Sequence, residues 1–312
     1  MIGIICRPAE TKTKQVYRLT NIFTNGGRYD TYEIENVSNG KRKLTKAIKR
    51  LKKSNPRPYT KEEVWRMIET QTTKPAEEFR RLIKLIEAFP DDIAAWRLIL
   101  SWMICTKHED KMEYMVSLST SCKISCGDNA MRDNPEDICY YCFSDNQQDR
   151  QKNTRDKLIR NTYLLAFYDI PQAAFDGLID SLPKYADIFR LESFGDLMND
   201  QQFRNYLKMV NGNPKTTFAE WTKKPWIMAH VFKTENKPEN LIVIISAPRL
   251  NDTITYEQIV KDWPFADKVF TVYDNDYITE NEIEINCGGK QCITCRLCYE
   301  HNDTHELKER KK

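Results

Sequence analysis

Histidine and glycine are scarce in this 312-residue chain, at four and ten residues. The histidines, His108, His230, His301 and His305, show no paired metal-ligand spacing with one another. His230 falls in a helical pattern, where a packed histidine is commoner than a ligand. The glycines form no phosphate-cradling loop, and no Ser–His–Asp pattern stands out. No apolar run approaches the ~18 residues of a membrane-spanning helix. The net charge is only +3, so the chain as a whole is not a polycation. Its start, Met1 to Cys6, lacks the basic n-region and long apolar h-region of a secretory signal, and the expected compartment is a reducing cytosol.

What the chain does have is patterned cysteine. Eight of its ten cysteines fall into two sets of four. Cys122 and Cys126 form a C-x3-C pair, and a twelve-residue insert separates them from the C-x2-C pair Cys139 and Cys142. Cys287, Cys292, Cys295 and Cys298 follow C-x4-C-x2-C-x2-C, while Cys6 and Cys105 stand alone. Thiolates two residues apart can face one soft metal centre. In a reducing compartment, ligands are favoured over disulfides. The first group, two pairs with a loop between, is a zinc-knuckle pattern and reads by spacing alone as structural zinc. The second is crowded like a ferredoxin run, and Gly288 and Gly289 would let the backbone fold tightly round a cluster. Two sites, or one site shared between the ends of the fold, both fit the spacing.

Residues 1–35 read as a small β element, with strand-like runs at 16–19 and 29–34 around the turn signal Asn25, Gly26, Gly27. Over 41–53, Leu44, Ile48 and Leu51 recur at helical spacing among Lys and Arg, which predicts an amphipathic basic helix. Its charges either form a solvated face or contact a phosphate backbone, so nucleic acid is a candidate partner. Thr60 to Glu63 resembles a capping box and opens a helix to about Gln71. Pro75 starts a second, with Phe79, Leu82, Ile83, Leu85 and Ile86 inward. Pro90, Asp91 and Asp92 cap a third, through Trp96, Leu98, Ile99, Leu100 and Trp102, and the two tryptophans are expected in the core rather than in a ligand cage. Residues 1–110 thus form a β element and a helical extension.

From residue 112 the rhythm changes. Strands are predicted at 113–119, 187–192, 216–221, 241–246 and 268–273, with a sixth at 282–285. Helices are predicted at 152–169, 171–182, 199–210, 225–233 and 255–263. The all-apolar run 241–246 suits a strand buried on both faces. Such alternation implies parallel pairing through right-handed crossovers. The predicted fold is α/β, a partial (βα) barrel of five or six parallel strands over residues 111–300, with an N-terminal α-helical extension. The charged tail, 301–312, is expected to fray. In such barrels the chemistry sits at the C-terminal strand ends. The first cysteine group, Gly195 and Asp196, Lys223, Arg249 and Asp274 all fall there. Glu192 and Asp196 would either ligate or hydrogen-bond a cofactor amine, or cap the helix that follows.

Several stretches carry a resemblance. Leu118-Ser119-Thr120, Cys139-Tyr140-Tyr141-Cys142, Arg155, Arg160-Asn161, and residues 190–196, 218–223 and 292–299 resemble the phage and plasmid gene product 88-like proteins over roughly residues 112–300. The layout is also similar to the radical S-adenosylmethionine superfamily. There a three-cysteine loop follows the first strand, an aromatic precedes its last cysteine as Tyr141 precedes Cys142, and a glycine-rich acidic motif follows the second strand where Gly195 and Asp196 lie here. This resemblance implies [4Fe–4S] clusters rather than Zn2+, with S-adenosylmethionine held near Gly195, Asp196, Glu192, Lys223 and Arg249. The function it implies is that of an iron–sulfur protein associated with phage or mobile elements. The alternative is a zinc-stabilised nucleic-acid-binding protein without catalysis. One departure stands out. The superfamily's three thiolates leave one iron open for the cofactor, and a fourth thiolate would saturate it.

Overall fold

The computed structural model describes residues 2–9, 16–23, 30–35, 58–106, 110–126, 136–182 and 187–311. The basic helix predicted at 41–53 lies outside the described residues. What is described divides into two units. In the first, β1 (Ile2–Ala9), β2 (Val16–Phe23) and β3 (Asp30–Glu35) pair antiparallel in that order. The last two match the runs expected from the sequence, and β1 is an addition.

The second unit opens with helices. α1 (Lys61–Glu69) carries the expected capping box: Glu63 N donates to Thr60 Oγ1 at 3.3 Å, and Thr60 N donates to Glu63 Oε2 at 2.9 Å. This satisfies donors that the first helical turn leaves free. α2 (Lys74–Ala88) buries Phe79, Leu82, Ile83 and Ile86. α3 (Ile93–Met103) is capped by Asp92, whose Oδ1 accepts from Ala95 N at 3.0 Å, and it buries Trp96, Ile99 and Leu100. Trp102, expected in the core, is instead 40% exposed, and Leu98 is 42% exposed. Four residues apart, they share the helix face opposite the buried one.

The remaining elements alternate. They are β4 (Val116–Leu118), α4 (Cys122–Ser125), a 3-10 turn at Ile138–Tyr141, α5 (Phe143–Arg150), α6 (Lys152–Phe167), α7 (Gln172–Phe175), β5 (Ile188–Leu191), α8 (Asp200–Asn211), β6 (Thr217–Thr222), α9 (Pro225–Val231), β7 (Leu241–Leu250), α10 (Tyr256–Asp262), β8 (Lys268–Tyr273), α11 (Asn275–Glu280), α12 (Cys292–Cys295) and β9 (Glu306–Arg310). Strands β4 to β9 lie side by side in chain order, all parallel, in one open sheet.

Two expectations need correcting. The sixth strand is not 282–285 but β9, in the tail expected to fray. Glu306 pairs with Val269 and Arg310 with Tyr273. Leu307 is almost fully buried, and one apolar anchor suffices for an edge strand whose charges discourage further pairing. The helix expected over 171–182 stops at Phe175, because Gly177 takes the left-handed conformation (φ +65°) that ends helices.

Side chains alternate across the sheet. Phe189, Leu191, Phe218 and Val243 join Val64, Leu82, Ile99, Leu164, Phe203 and Met228 in the core under the helices. Ile188, Ala219, Trp221, Ile242 and Ile244 face the other way, against Tyr299, Leu307 and the half-buried Cys292, Ile293 and Cys298. The second cysteine segment is therefore folded over the face of the sheet opposite the helices. No helix among the described residues is long and apolar enough to cross a membrane.

Candidate metal centres

The first group begins where β4 ends. Asn161 Nδ2 donates to Ser119 O at 2.9 Å, and Ser121 N donates to Thr162 Oγ1 at 2.9 Å. The buried polar residues of α6 thereby fix the entry to α4, which carries Cys122 and is followed at once by Cys126. Asp137 forms a backbone bridge with Arg249, and Leu250 N donates to Glu136 O at 2.8 Å. This ties the Cys139–Cys142 turn to the C-terminal end of β7. Cys142 Sγ then accepts from Asp145 N at 3.4 Å as the cap of α5.

The sulfurs become neighbours. A hydrogen bond with Cys142, then burial, holds the Cys122 thiol far above its ordinary range. Burial pushes Cys126 up to about 12, with Lys224 opposing and Asp196, Cys139 and Cys142 adding to it. Thiols crowded this way keep their protons in the metal-free chain, and a bound metal displaces those protons.

Behind this loop lies a buried acidic network at the ends of β4, β5 and β6. Glu192 Oε1 accepts from Tyr206 at 2.5 Å and Gln202 at 2.6 Å, while its Oε2 accepts from Thr120 N at 3.1 Å. Asp196 Oδ1 accepts from Thr222 Oγ1 at 2.6 Å and Leu197 N at 2.8 Å, and Oδ2 accepts from Lys223 N at 3.1 Å. The helix that follows is capped by Asn199, not by either acid. Gly195 sits between them at φ +83°, where a Cβ would come within 2.5 Å of Thr120 Oγ1 and 2.6 Å of its carbonyl. Glu192, Gly195, Asp196 and Lys223 are thus brought together, as a seal between strand ends. The ammonium that reaches the cysteine loop belongs to Lys224, which bonds Ser125 O and, at 2.7 Å, Leu197 O.

Glu220, on β6, was not singled out from the sequence. It is 0% exposed, and neither carboxyl oxygen has a hydrogen-bond partner. Burial, reinforced by Glu192 and Asp196 and opposed by Arg190, pushes it well above the usual carboxylate range. Burial also lifts Glu192, to about 8, against its hydrogen-bond donors.

Arg249 lies apart from the seal. It lines a cavity of about 470 Å³ with Glu136, Tyr141, Asn251, Asp252, Asp274 and Lys311 at the C-terminal ends of β7 and β8. Lys311 Nζ stands 3.5 Å above the Tyr141 ring. Asp274 is committed locally, accepting from Tyr277 N and Asn251 Nδ2. Tyr141 connects the cavity wall to the first cysteine group.

The second group rests on the opposite face of the sheet. Arg296, at φ +56°, pairs with Asp187 just before β5. Lys111 pairs with Glu309 and comes within 4.0 Å of Cys287 Sγ. Burial works against the Lys111 charge, but Glu309 and Cys287 outweigh it and hold its pKa up. Arg190 stacks on Trp221 at 4.0 Å and opposes the upward push of burial on Cys292 and on Cys298, which reaches about 12. Two cations beside gathered thiols suit a centre whose ligands carry net negative charge. Within each group the thiols act on one another, and Cys292 and Cys298 of the second pack against Ile188, Trp221 and Ile244 on the sheet face turned from the helices. No disulfide involves Cys105 or any of the eight grouped cysteines. As they stand, no three His, Cys, Asp or Glu side chains among the described residues form a group that could hold a metal ion.

The profile of the gene product 88 family matches residues 87–311. The chain belongs to the gene product 88 family. No curated protein and no solved structure matches it. The gene product 88 match takes in both cysteine groups and all six parallel strands, and it leaves β1 to β3 and α1 outside. Within it, Arg190, Lys111, Lys224, Gln148 and Glu220 surround the candidate centres without a sequence signal of their own. Only contacts between distant segments select them.

Proposed function

We propose that this gene product 88 protein is an iron–sulfur protein with a layout like that of radical S-adenosylmethionine enzymes. The first cysteine group would hold a [4Fe–4S] cluster at the C-terminal edge of the sheet, and the second group another cluster on the opposite face. The observation that carries this reading is the gathering of Cys122, Cys126, Cys139 and Cys142 beside the Arg249 cavity. Open parallel sheets bind ligands at that edge. The donors available there are four thiols, with a buried amide from Gln148 and Lys224 nearby, and the thiols would have to draw closer round a bound cluster than they stand in this structure. When bound, the cluster would supply an electron for reductive cleavage of the sulfonium.

The chain's own residues would bind and orient the cofactor. Arg249 and Lys311 offer charge to a carboxylate, Asp252 offers charge to an ammonium, and Tyr141 forms an aromatic wall. This mixed charge suits a zwitterion better than a plain anion. One of the four thiols would have to stand off the cluster to leave an iron open.

Metal and sulfide analysis of anaerobically purified protein tests the reading. Iron and sulfide in similar amounts, with a broad blue-region absorbance, are expected, followed by cleavage of S-adenosylmethionine. Zinc without sulfide would overturn it and point to nucleic-acid binding measured across salt. Replacement of single cysteines by alanine adds a second check. Cys298→Ala is expected to lower iron while leaving the first centre's share intact, since the two groups are separate. Equal loss from both centres would contradict that separation.

A further inference from the structure

Phe143 is 69% exposed and Tyr140 49% exposed, on either side of Cys142. Exposed apolar rings gathered in one short segment mark a contact surface. Each is backed by a second ring. Phe143 stacks on Phe194, with centroids 5.9 Å apart and planes tilted by 29°. Tyr140 meets Tyr141 edge-on at 4.9 Å. Phe194 is itself fixed, since its N–H donates to Ser119 Oγ at 3.3 Å and its carbonyl accepts from Thr120 N at 3.2 Å. The open face of Phe143 is thus held in one orientation, and a flat group laid on it extends an existing stack. Cations reach the same edge because of the strand order. β5, β6 and β7 are neighbours in the parallel sheet. Phe194 after β5, Lys223 after β6 and Arg249 at the end of β7 therefore emerge on one side. Lys311 emerges there after β9, with its Nζ over the Tyr141 ring. Among the described residues none of Lys223, Arg249 and Lys311 is in an ion pair. Glu136 and Asp252 line the neighbouring cavity and keep the net charge modest. That balance favours a ligand that stacks over one held by charge alone.

We propose that this edge is a binding surface for single-stranded nucleic acid: unpaired bases stack on Phe143 and Tyr140, and the cations of the strand ends contact the phosphates. Every base has a flat π-face, so an aromatic platform accepts a strand without reading its sequence. In a duplex those faces are taken up by neighbouring bases, so stacking selects an unpaired strand. None of these side chains is a candidate metal ligand, and the inference holds whichever metal the cysteines take.

Fluorescence anisotropy of a labelled oligothymidylate of about 12 nucleotides, titrated with the full-length protein at low salt, tests it. The single strand is expected to bind more tightly than a duplex of the same length. Phe143→Ala and Tyr140→Ala should each weaken binding about tenfold, while Phe143→Tyr, which keeps the ring, should stay near the wild-type affinity. Lys223→Gln and Arg249→Gln should each reduce the slope of log affinity against log salt by about 0.7. Phe89→Ala is the control. Phe89 is 62% exposed but follows α2, and its loss should change nothing. No binding by the wild-type protein overturns the inference, as do equal losses in F89A and F143A. Binding that survives both ring changes also overturns it, because the strand must then bind elsewhere on the chain. Attachment to phosphatidylserine vesicles without binding of oligothymidylate overturns it in favour of an anionic lipid surface.

Discussion

Gly195→Ala is expected to lower the free energy of unfolding by about 3 kcal/mol, from left-handed strain and steric overlap together. The backbone there is at φ +83°, a region where an L side chain is strained. A Cβ would also meet the Thr120 carbonyl at 2.6 Å and Glu192 Oε2 at 2.9 Å. The carbonyl is held in place because it shares its peptide plane with Ser121 N, which donates to Thr162 Oγ1 at 2.9 Å. Thr120 stands two residues before Cys122, so the same change should loosen the first centre and reduce its metal content. Gly177→Ala is the control. Gly177 is also left-handed, at φ +65°, but nothing lies within 4 Å of its would-be Cβ. Its cost should be conformational only, about 1 kcal/mol. Urea denaturation of the two variants separates strain from overlap. Equal losses would mean that the close packing of Gly195 contributes nothing.

The second large effect concerns pH. Glu220 and Glu192 have folded-state pKa values raised above the ordinary 4.5, Glu192 to about 8. In this range the folded chain keeps protons that the unfolded chain releases. Stability is then full below about pH 4.5 and falls as pH rises, by about 1.4 kcal/mol per pH unit for each such group. For Glu192 the fall ends near pH 8. Wild-type protein should therefore be less stable at pH 8 than at pH 6 by a few kcal/mol from these two groups. Glu220→Gln removes one of them at nearly constant volume. Its unfolding free energy should fall with pH by about 1.4 kcal/mol per unit less than wild type, and at pH 8 the variant should be the more stable protein. Denaturation midpoints from pH 5 to 9 read both slopes. Parallel slopes would show that Glu220 is ionised in the folded chain, and that a partner for it exists.

Much of the architecture was legible because it is local. Periodic apolar residues mark α1 to α3 and α8, and the capping box at Thr60 forms as its spacing implies. The apolar run 241–246 gives the core of β7, buried on both faces. Alternation of strands and helices is enough to infer parallel order, and the cysteine spacing alone divides eight thiols into two groups of four. These features depend on residues a few positions apart, so the sequence by itself determines them. The rest depends on residues far apart in the chain. The sixth strand is the charged segment Glu306–Arg310, since an edge strand needs only Leu307 as an apolar anchor once β8 is beside it. Lys224 rather than Lys223 reaches the cysteine loop because β6 presents its two faces to different surroundings. Glu192 and Asp196 become hydrogen-bonded buried acids because Thr120, Thr222 and the α8 residues Gln202 and Tyr206 arrive from three other segments. Glu220 is pushed above the usual carboxylate range because it is buried and none of those donors reaches it. Tertiary structure alone decides such roles, because a side chain's charge state and purpose follow from what surrounds it, and those neighbours are assembled only when the chain folds.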